Sequence, residues 1–329
     1  MITWKRNWSL SGLEKGENML LVTIDEVSET QIERLKELNP GMPVRLETEP
    51  ETAVLKDVEF WITYGFDVTK ENLEQMSNLK WIQIFQSGVE HLPFDELVKR
   101  NILLSNVKGI HGVPMAEHVM SLVLYVTRDL PRFIRDQKNH VWNRNDLVGE
   151  VNGKTMAIFG AGTIGKEVAR KAKLFDMRVI GVNTRGKQVE PFDEMYTMAD
   201  KNKVLAESDF VVLLLPVTDE TYHCISTNEL RAMKADGYLI NVGRGALVDT
   251  DALMAELSEI KGAALDVFEE DPLPPYHPLW EMENVFITPH LSAKTVRYLD
   301  RCIDKFSINL ENYRNGDPMA NRVDVEKGY

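Results

Sequence analysis

Three stretches of this chain end in side chains suited to work on a carbonyl compound. "INVGRGALVD" presents Arg244, "LDVFEEDPLP" presents the acids Asp266, Glu269, Glu270 and Asp271, and "ITPHLSAKT" presents His290. Each lies at the end of an apolar run that reads as a buried strand ("YLINVG", "GAALDV", "VFITPH"), and open α/β sheets place their ligands at the carboxyl ends of their strands. A histidine after a strand is by itself more often structural, but three such groups at one sheet edge suit hydride transfer to a ketone beside a carboxylate. Hydride arriving at the carbonyl carbon leaves charge on oxygen, so a proton donor must stand within hydrogen-bond reach, and histidine has a suitable range. His290 is the candidate acid, and the base in the reverse direction. A partner carboxylate orients its ring and favours the imidazolium. Arg244, always charged and fork-shaped, is the candidate grip on substrate carboxylate and carbonyl oxygen.

A hydride donor needs a site, and "GAGTIG" supplies one: Gly160, Gly162, Thr163, Ile164 and Gly165 follow the apolar run "TMAIF" and open a helical pattern. Gly160 suits a tight turn, Gly162 lets backbone approach a pyrophosphate, and Gly165 allows helix and strand to pack closely, with the helix N-terminus facing the anion. An acidic residue usually closes the next strand to hold a ribose 2′-hydroxyl, but "RVIGVNTRGK" offers Asn183, Thr184, Arg185 and Lys187. A neutral amide with two nearby cations biases the site toward NADP over NAD, with NAD still possible.

These groups need elements to carry them. From Leu20 to about Asn106, short apolar runs ("LLVTID", "FWITYG", "LKWIQIF", "ILLSNV") alternate with amphipathic ones, among them a helix from Ser28 to Leu38 opened by a Ser28/Gln31 capping box. A long helix begins near Pro114 and runs through "MAEHVMSLVLYVTRDL". A second series of six strands opens at "GKTMAIF", and an amphipathic stretch from Ala293 to Asn315 leads the chain away, back toward the first domain. The fold class is therefore α/β with parallel sheets. At 329 residues about two domains are expected. The divisions are an N-terminal extension over 1–18, a substrate domain from 19–106 plus 293–329, and a cofactor domain over 107–292. Because the first strand begins at Met19, that residue is a candidate true start.

In order and spacing, "GAGTIG", "LLLPVTDET", "INVGRGALVD", "GAALDVFEEDPLP" and "TPHLSAKT" resemble the D-isomer-specific 2-hydroxyacid dehydrogenases, particularly glyoxylate/hydroxypyruvate reductases. The resemblance covers nearly everything beyond the N-terminal extension. It implies two doubly wound parallel-sheet domains: a Rossmann cofactor domain inserted into a smaller flavodoxin-like substrate domain. It also implies a homodimer built around the long helix and an active site in the interdomain cleft. Arg244 falls on the family's catalytic arginine and His290 on its acid/base histidine. Ser87, Gly88 and Val89 in "QSGVEH" fall on the loop whose N–H groups face the substrate carboxylate. Asp266 falls on the residue that bonds the nicotinamide amide, and Pro216, Thr218 and Val242 on cofactor contacts. Trp142 falls where a neighbouring subunit's pocket or plain interface packing is expected.

One position departs from the family. A glutamate usually precedes the proline five residues after the strand-end aspartate, and here that residue is Asp271. Asp271 pairs with His290 at altered geometry, Glu270 or Glu269 takes over by a local shift, or the enzyme is impaired or repurposed; on the first reading Glu269 and Glu270 stay solvated.

The resulting expectation is an NAD(P)H-dependent oxidoreductase of a small 2-keto acid such as glyoxylate or hydroxypyruvate. The alternatives are a D-3-phosphoglycerate dehydrogenase and a non-catalytic NAD(P)-sensing protein on the same fold. Composition agrees. A hydrophobic content of 43% and a charged content of 27% are ordinary for a globular protein, and a net charge of −13 argues against a nucleic-acid partner. The apolar runs are too short to span a bilayer. Cys224 and Cys302 lie far apart with no metal-ligand spacing, so a reducing cytoplasm without a metal is the simplest setting.

Overall fold

The computed structural model describes residues 18–50 and 52–328. The expected extension therefore lies, but for Asn18, outside the described residues, as does any evidence on a start at Met19. Residues up to Ile110 together with those from Val296 onward form one unit, and His111–Thr295 forms the other.

The first unit holds a five-stranded parallel sheet of β1 (Met19–Val22), β2 (Val44–Leu46), β3 (Val58–Thr63), β4 (Trp81–Ile84) and β5 (Leu103–Ser105), in the order β2-β1-β3-β4-β5. This is the flavodoxin-like order. β1, β3 and β4 are buried along their whole length, as strands covered on both faces must be. The helix Glu29–Leu38 carries the expected reciprocal cap between Ser28 and Gln31. The closing helix Tyr298–Asn315 buries Cys302, Ile303, Phe306 and Leu310, and Phe306 stacks on Trp81 with ring centroids 5.0 Å apart. That apolar stripe returns the chain to the first unit.

The second unit holds a seven-stranded parallel sheet: β6 (Thr155–Phe159), β7 (Arg178–Val182), β8 (Glu194–Tyr196), β9 (Phe210–Leu213), β10 (Tyr238–Asn241), β11 (Gly262–Leu265) and β12 (Val285–Ile287). Their order is β12-β11-β10-β9-β6-β7-β8, so the chain starts centrally, winds out to β8 and returns to wind the other way. Between β6 and β9 the direction reverses, and the crevice beyond the carboxyl ends of these strands is where such sheets bind nucleotides.

Three features differ from the sequence reading. β2 and β8 were not expected, because three-residue edge strands with mixed polar side chains give no apolar run; each exists by pairing with a buried neighbour, β1 or β7. The long helix spans Gly112–Thr127 and stops before Asp129, whose φ of 52° is left-handed. Pro131 has no N–H to give the Thr127 carbonyl, which accepts the Gly149 N–H at 3.0 Å instead, and a separate helix runs over Leu130–Lys138. The last helix begins at Tyr298 rather than Ala293. Among the described residues no helix is long and apolar enough to cross a membrane.

Candidate active site

In the second unit every expected chemical group sits at the carboxyl end of a strand. After β6, the backbone requires glycine at two of the three positions and leaves space at the third. Gly160 has φ +112°. A Cβ on Gly165 would lie 2.2 Å from the Gly160 carbonyl oxygen. At Gly162 nothing lies within 4 Å of where a Cβ would be, so this glycine leaves open space just where the helix Thr163–Lys173 begins. Thr163 and Ile164 are the first residues of that helix, whose leading amides lack helical acceptors and so could receive an anion.

After β7, Asn183 turns its side chain onto its own loop, its Oδ1 accepting from the Arg185 N–H at 2.9 Å and the Gly186 N–H at 2.7 Å. This Asx-type turn presents Thr184, Arg185 and Lys187, all exposed. Among the described residues neither cation has a carboxylate partner. After β9, Thr221 ties the turn by donating its hydroxyl to the Pro216 carbonyl at 2.7 Å and accepting the Thr218 N–H at 2.8 Å. Val242, after β10, is buried.

Arg244 is exposed at the end of β10. Asn241 holds its loop, with Nδ2 donating to the Arg244 carbonyl at 2.9 Å and Oδ1 accepting the Gly243 N–H at 3.2 Å. The guanidinium donates to the Gly243 carbonyl at 2.7 Å and, among the described residues, pairs with no carboxylate. Its charge is felt at His111, which is held below the ordinary histidine range by burial first and by Arg244 second.

His290 follows β12 in the left-handed region, φ 54°, a conformation that histidine tolerates better than most residues but that the surroundings must enforce. Asp266 does so. This carboxylate is fully buried and accepts the Leu291 N–H at 2.9 Å, the Ser292 N–H at 3.0 Å and the Thr288 hydroxyl at 2.6 Å. Its own carbonyl accepts the His290 N–H at 2.9 Å. The residue expected to meet the nicotinamide amide thus serves, in the fold, as the anchor of the histidine loop. His118 completes this group, with Nε2 3.3 Å from the Thr288 hydroxyl and 3.9 Å from Asp266 Oδ1. Burial, opposed by Asp266, holds His118 below the ordinary histidine range.

Asp271, not its neighbours, meets the histidine: Oδ2 lies 2.6 Å from His290 Nδ1. With Nδ1–H donating to Asp271, Nε2 has no partner among the described residues and could donate its proton to a substrate oxygen. Glu270 is exposed. Glu269 corrects the expectation of a solvated side chain, since its Oε1 is 2.6 Å from His223 Nε2 and its Oε2 accepts the Thr250 N–H at 3.0 Å. The partnerships of His223, His118 and Thr288 carried no sequence signal, because each joins residues that only the sheet brings together. Trp142 is 89% exposed.

In the first unit, "QSGVEH" forms the turn after β4. The Ser87 carbonyl accepts from Asn106 Nδ2 at 2.9 Å, and Val89 is buried beneath the turn. The Gly88 and Val89 amides donate to no acceptor among the described residues.

A glycine-turned β6 edge, a histidine–carboxylate pair and an arginine, in this topological order, delimit a family, and the model of the NAD-binding domain of D-isomer specific 2-hydroxyacid dehydrogenases matches residues 120–292. The chain belongs to this family. It is 37% identical over 267 residues to a glyoxylate reductase of Thermofilum pendens, covering 79% of each chain. A crystal structure of a D-isomer specific 2-hydroxyacid dehydrogenase family protein from Aeromonas salmonicida is similar with a TM-score of 0.82 at 30% identity, covering 94% of this chain and 99% of that one. A family member from Xanthobacter autotrophicus, solved in complex with NADPH and MES, is similar with a TM-score of 0.74 at 26% identity, covering 95% and 100%. The family makes the protein an oxidoreductase of the 2-hydroxyacid dehydrogenase type with a Rossmann cofactor domain.

Proposed function

We propose that this protein reduces a small 2-keto acid, glyoxylate or hydroxypyruvate, to the 2-hydroxy acid, in the D form where the product is chiral, with NADPH preferred over NADH. The observation that carries the reading is the 2.6 Å His290–Asp271 pair, with the second ring nitrogen open, at the same sheet edge as an arginine that has no carboxylate partner among the described residues. When bound, the reduced nicotinamide supplies the hydride. His290 Nε2–H donates the proton to the nascent alkoxide, and Asp271 stabilises and orients the imidazolium that precedes this transfer. Arg244 offers its free N–H groups to the substrate's carboxylate and carbonyl oxygen, and the Gly88 and Val89 amides of the other unit are suited to a carboxylate. Asp266 acts by fixing the His290 loop. Arg185 and Lys187 pair with a 2′-phosphate, while Asn183 adds no charge to repel it; the NADPH complex of the Xanthobacter relative supports this preference.

The same reading makes the protein a homodimer. The helix Leu130–Lys138 buries none of its own residues, and Leu130, Phe133, Ile134, Val141, Trp142 and Leu147 are all exposed. Apolar side chains in such density on one arm fit burial against a second copy.

The test follows the absorbance of reduced nicotinamide with glyoxylate, hydroxypyruvate, pyruvate and phosphohydroxypyruvate, using NADPH and NADH in turn. The reading expects the highest kcat/KM with one of the first two acids and NADPH. Preference for NADH defeats the cofactor assignment. Tight NADPH binding without turnover of any acid defeats the enzyme and favours a sensor.

A further inference from the structure

Glu269 stands two residues before the carboxylate that meets His290, yet its own carboxylate turns the other way, onto two other loops. Oε1 is 2.6 Å from His223 Nε2, and Oε2 accepts the Thr250 N–H at 3.0 Å. His223 is itself fixed. It holds a left-handed φ of 48°, its N–H donates to the Ala246 carbonyl at 2.8 Å, its ring stacks on Tyr222 with centroids 4.0 Å apart, and Asp249 Oδ2 lies 4.0 Å from Nδ1. One carboxylate therefore ties together the loops that follow β9, β10 and β11. The second of these carries Arg244 and the third carries Asp271.

The loops are also pressed together without side chains. A Cβ on Gly245 would fall 1.9 Å from the Phe268 carbonyl carbon and oxygen and 2.4 Å from the Glu269 nitrogen. Backbone contact sets how closely the Arg244 loop and the acidic loop approach, but contact alone leaves sliding free. The Glu269 bonds to His223 and Thr250 remove that freedom. The carboxyl is held ionised: burial pushes it up, but the bonds from Thr250 and His223 outweigh burial and leave it below the ordinary glutamate range.

We propose that Glu269 is a positioning residue for the reduction, bridging His223 and Thr250 so that Asp271 meets His290 in register with the Arg244 loop. The inference rests on the reading given under Proposed function. It names a part for Glu269 and His223 that neither needs contact with substrate to play.

Full-length wild type is compared with E269Q, H223A, H223Q, E269Q/H223A, E270Q and H290A. The measurements are kcat and KM with glyoxylate, NADPH affinity by fluorescence, and amide hydrogen exchange across the acidic loop. Because misplacement by about 1 Å costs up to roughly 100-fold in rate, partial release of the loop in E269Q and H223A should lower kcat on the order of 10-fold. NADPH affinity should stay within about 2-fold of wild type, since neither side chain is called on to hold cofactor. The double variant should be no worse than the poorer single one, because both cut the same tie. H223Q, which keeps an N–H donor, should recover most of the loss, and E270Q should behave as wild type. Exchange in the loop should quicken in E269Q and H223A. Unchanged kcat in E269Q and H223A, multiplicative losses in the double variant, or an E270Q defect equal to that of E269Q overturns the proposal. H290A separates the two readings: an active H290A refutes the catalytic assignment itself, whereas an inactive H290A beside a fully active E269Q and H223A refutes only the positioning role. Should E269Q fold poorly, the contrast between H223A and H223Q decides alone.

Discussion

Asp271→Asn isolates the charge that faces His290 while keeping the shape of the side chain. The bond is short, 2.6 Å, but its partners are 55% and 41% exposed. A hydrogen bond between charged groups contributes about 1.5–3 kcal/mol, and exposure to solvent places this one at the lower end, about 1.5–2 kcal/mol. If that interaction is realised fully only when the imidazolium is present, kcat/KM falls roughly 10- to 30-fold, each 1.4 kcal/mol being about tenfold. Asp271→Glu supplies the complementary perturbation. It restores the residue usual in the family, yet the existing contact has no slack, so an added methylene of roughly 1.3 Å must displace the ring or the loop. A loss of about 10-fold or more is expected in the variant that looks conservative. Steady-state kinetics with glyoxylate and saturating NADPH, with cofactor affinity measured separately, reads both. Wild-type kcat/KM in Asp271→Asn, with the loss appearing in Glu270→Gln, would falsify the register assigned to this loop. Higher activity in Asp271→Glu would show that the 2.6 Å contact is not the one used in catalysis.

Other perturbations test the remaining groups. Arg244→Lys keeps the charge but loses the fork, so KM for the 2-keto acid should rise and kcat should fall, with NADPH affinity nearly unchanged; a variant matching wild type in kcat/KM refutes the arginine's role. Arg185→Ala with Lys187→Ala removes two exposed cations, each contributing about 1 kcal/mol to a phosphate contact, and should weaken NADPH by roughly 10- to 100-fold while sparing NADH. Equal loss for both cofactors places these side chains elsewhere. Gly245→Ala drives a Cβ to 1.9 Å from rigid backbone and should cost about 3 kcal/mol or more in unfolding free energy, read by urea denaturation. His118 is held below its unfolded-state range by burial, so the unfolded chain binds its proton first. The stability this gives is present above about pH 6.5 and is lost as pH falls, and His118→Asn should flatten the decline in Tm between about pH 7.5 and 5.5. His111, shifted in the same direction, keeps part of that slope.

What the sequence alone determined was local. Apolar runs of four to six residues, separated by amphipathic ones, specify buried parallel strands and the helices between them, since such strands must hide both faces. The Ser28 cap, the proline near the start of the long helix and the glycines Gly160 and Gly165 after β6 are equally local, because each answers a need of the backbone within a few residues. Arg244 and His290 could be named because their strands end where they stand. Edge strands β2 and β8 escaped because their stability comes from a neighbour's unpaired backbone and not from their own side chains.

Tertiary structure decided which of several adjacent carboxylates does what. Asp266, Glu269, Glu270 and Asp271 are chemically near-equivalent in the sequence, and their neighbourhood is set by partners 19 to 46 residues away. Backbone direction sends Asp266 inward to hold the His290 loop, Glu269 to His223 and Thr250, Glu270 to solvent and Asp271 to His290. A carboxylate has no intrinsic preference among such donors. The choice falls to whichever donor the packed strands bring within about 3 Å, the range over which a hydrogen bond has most of its strength.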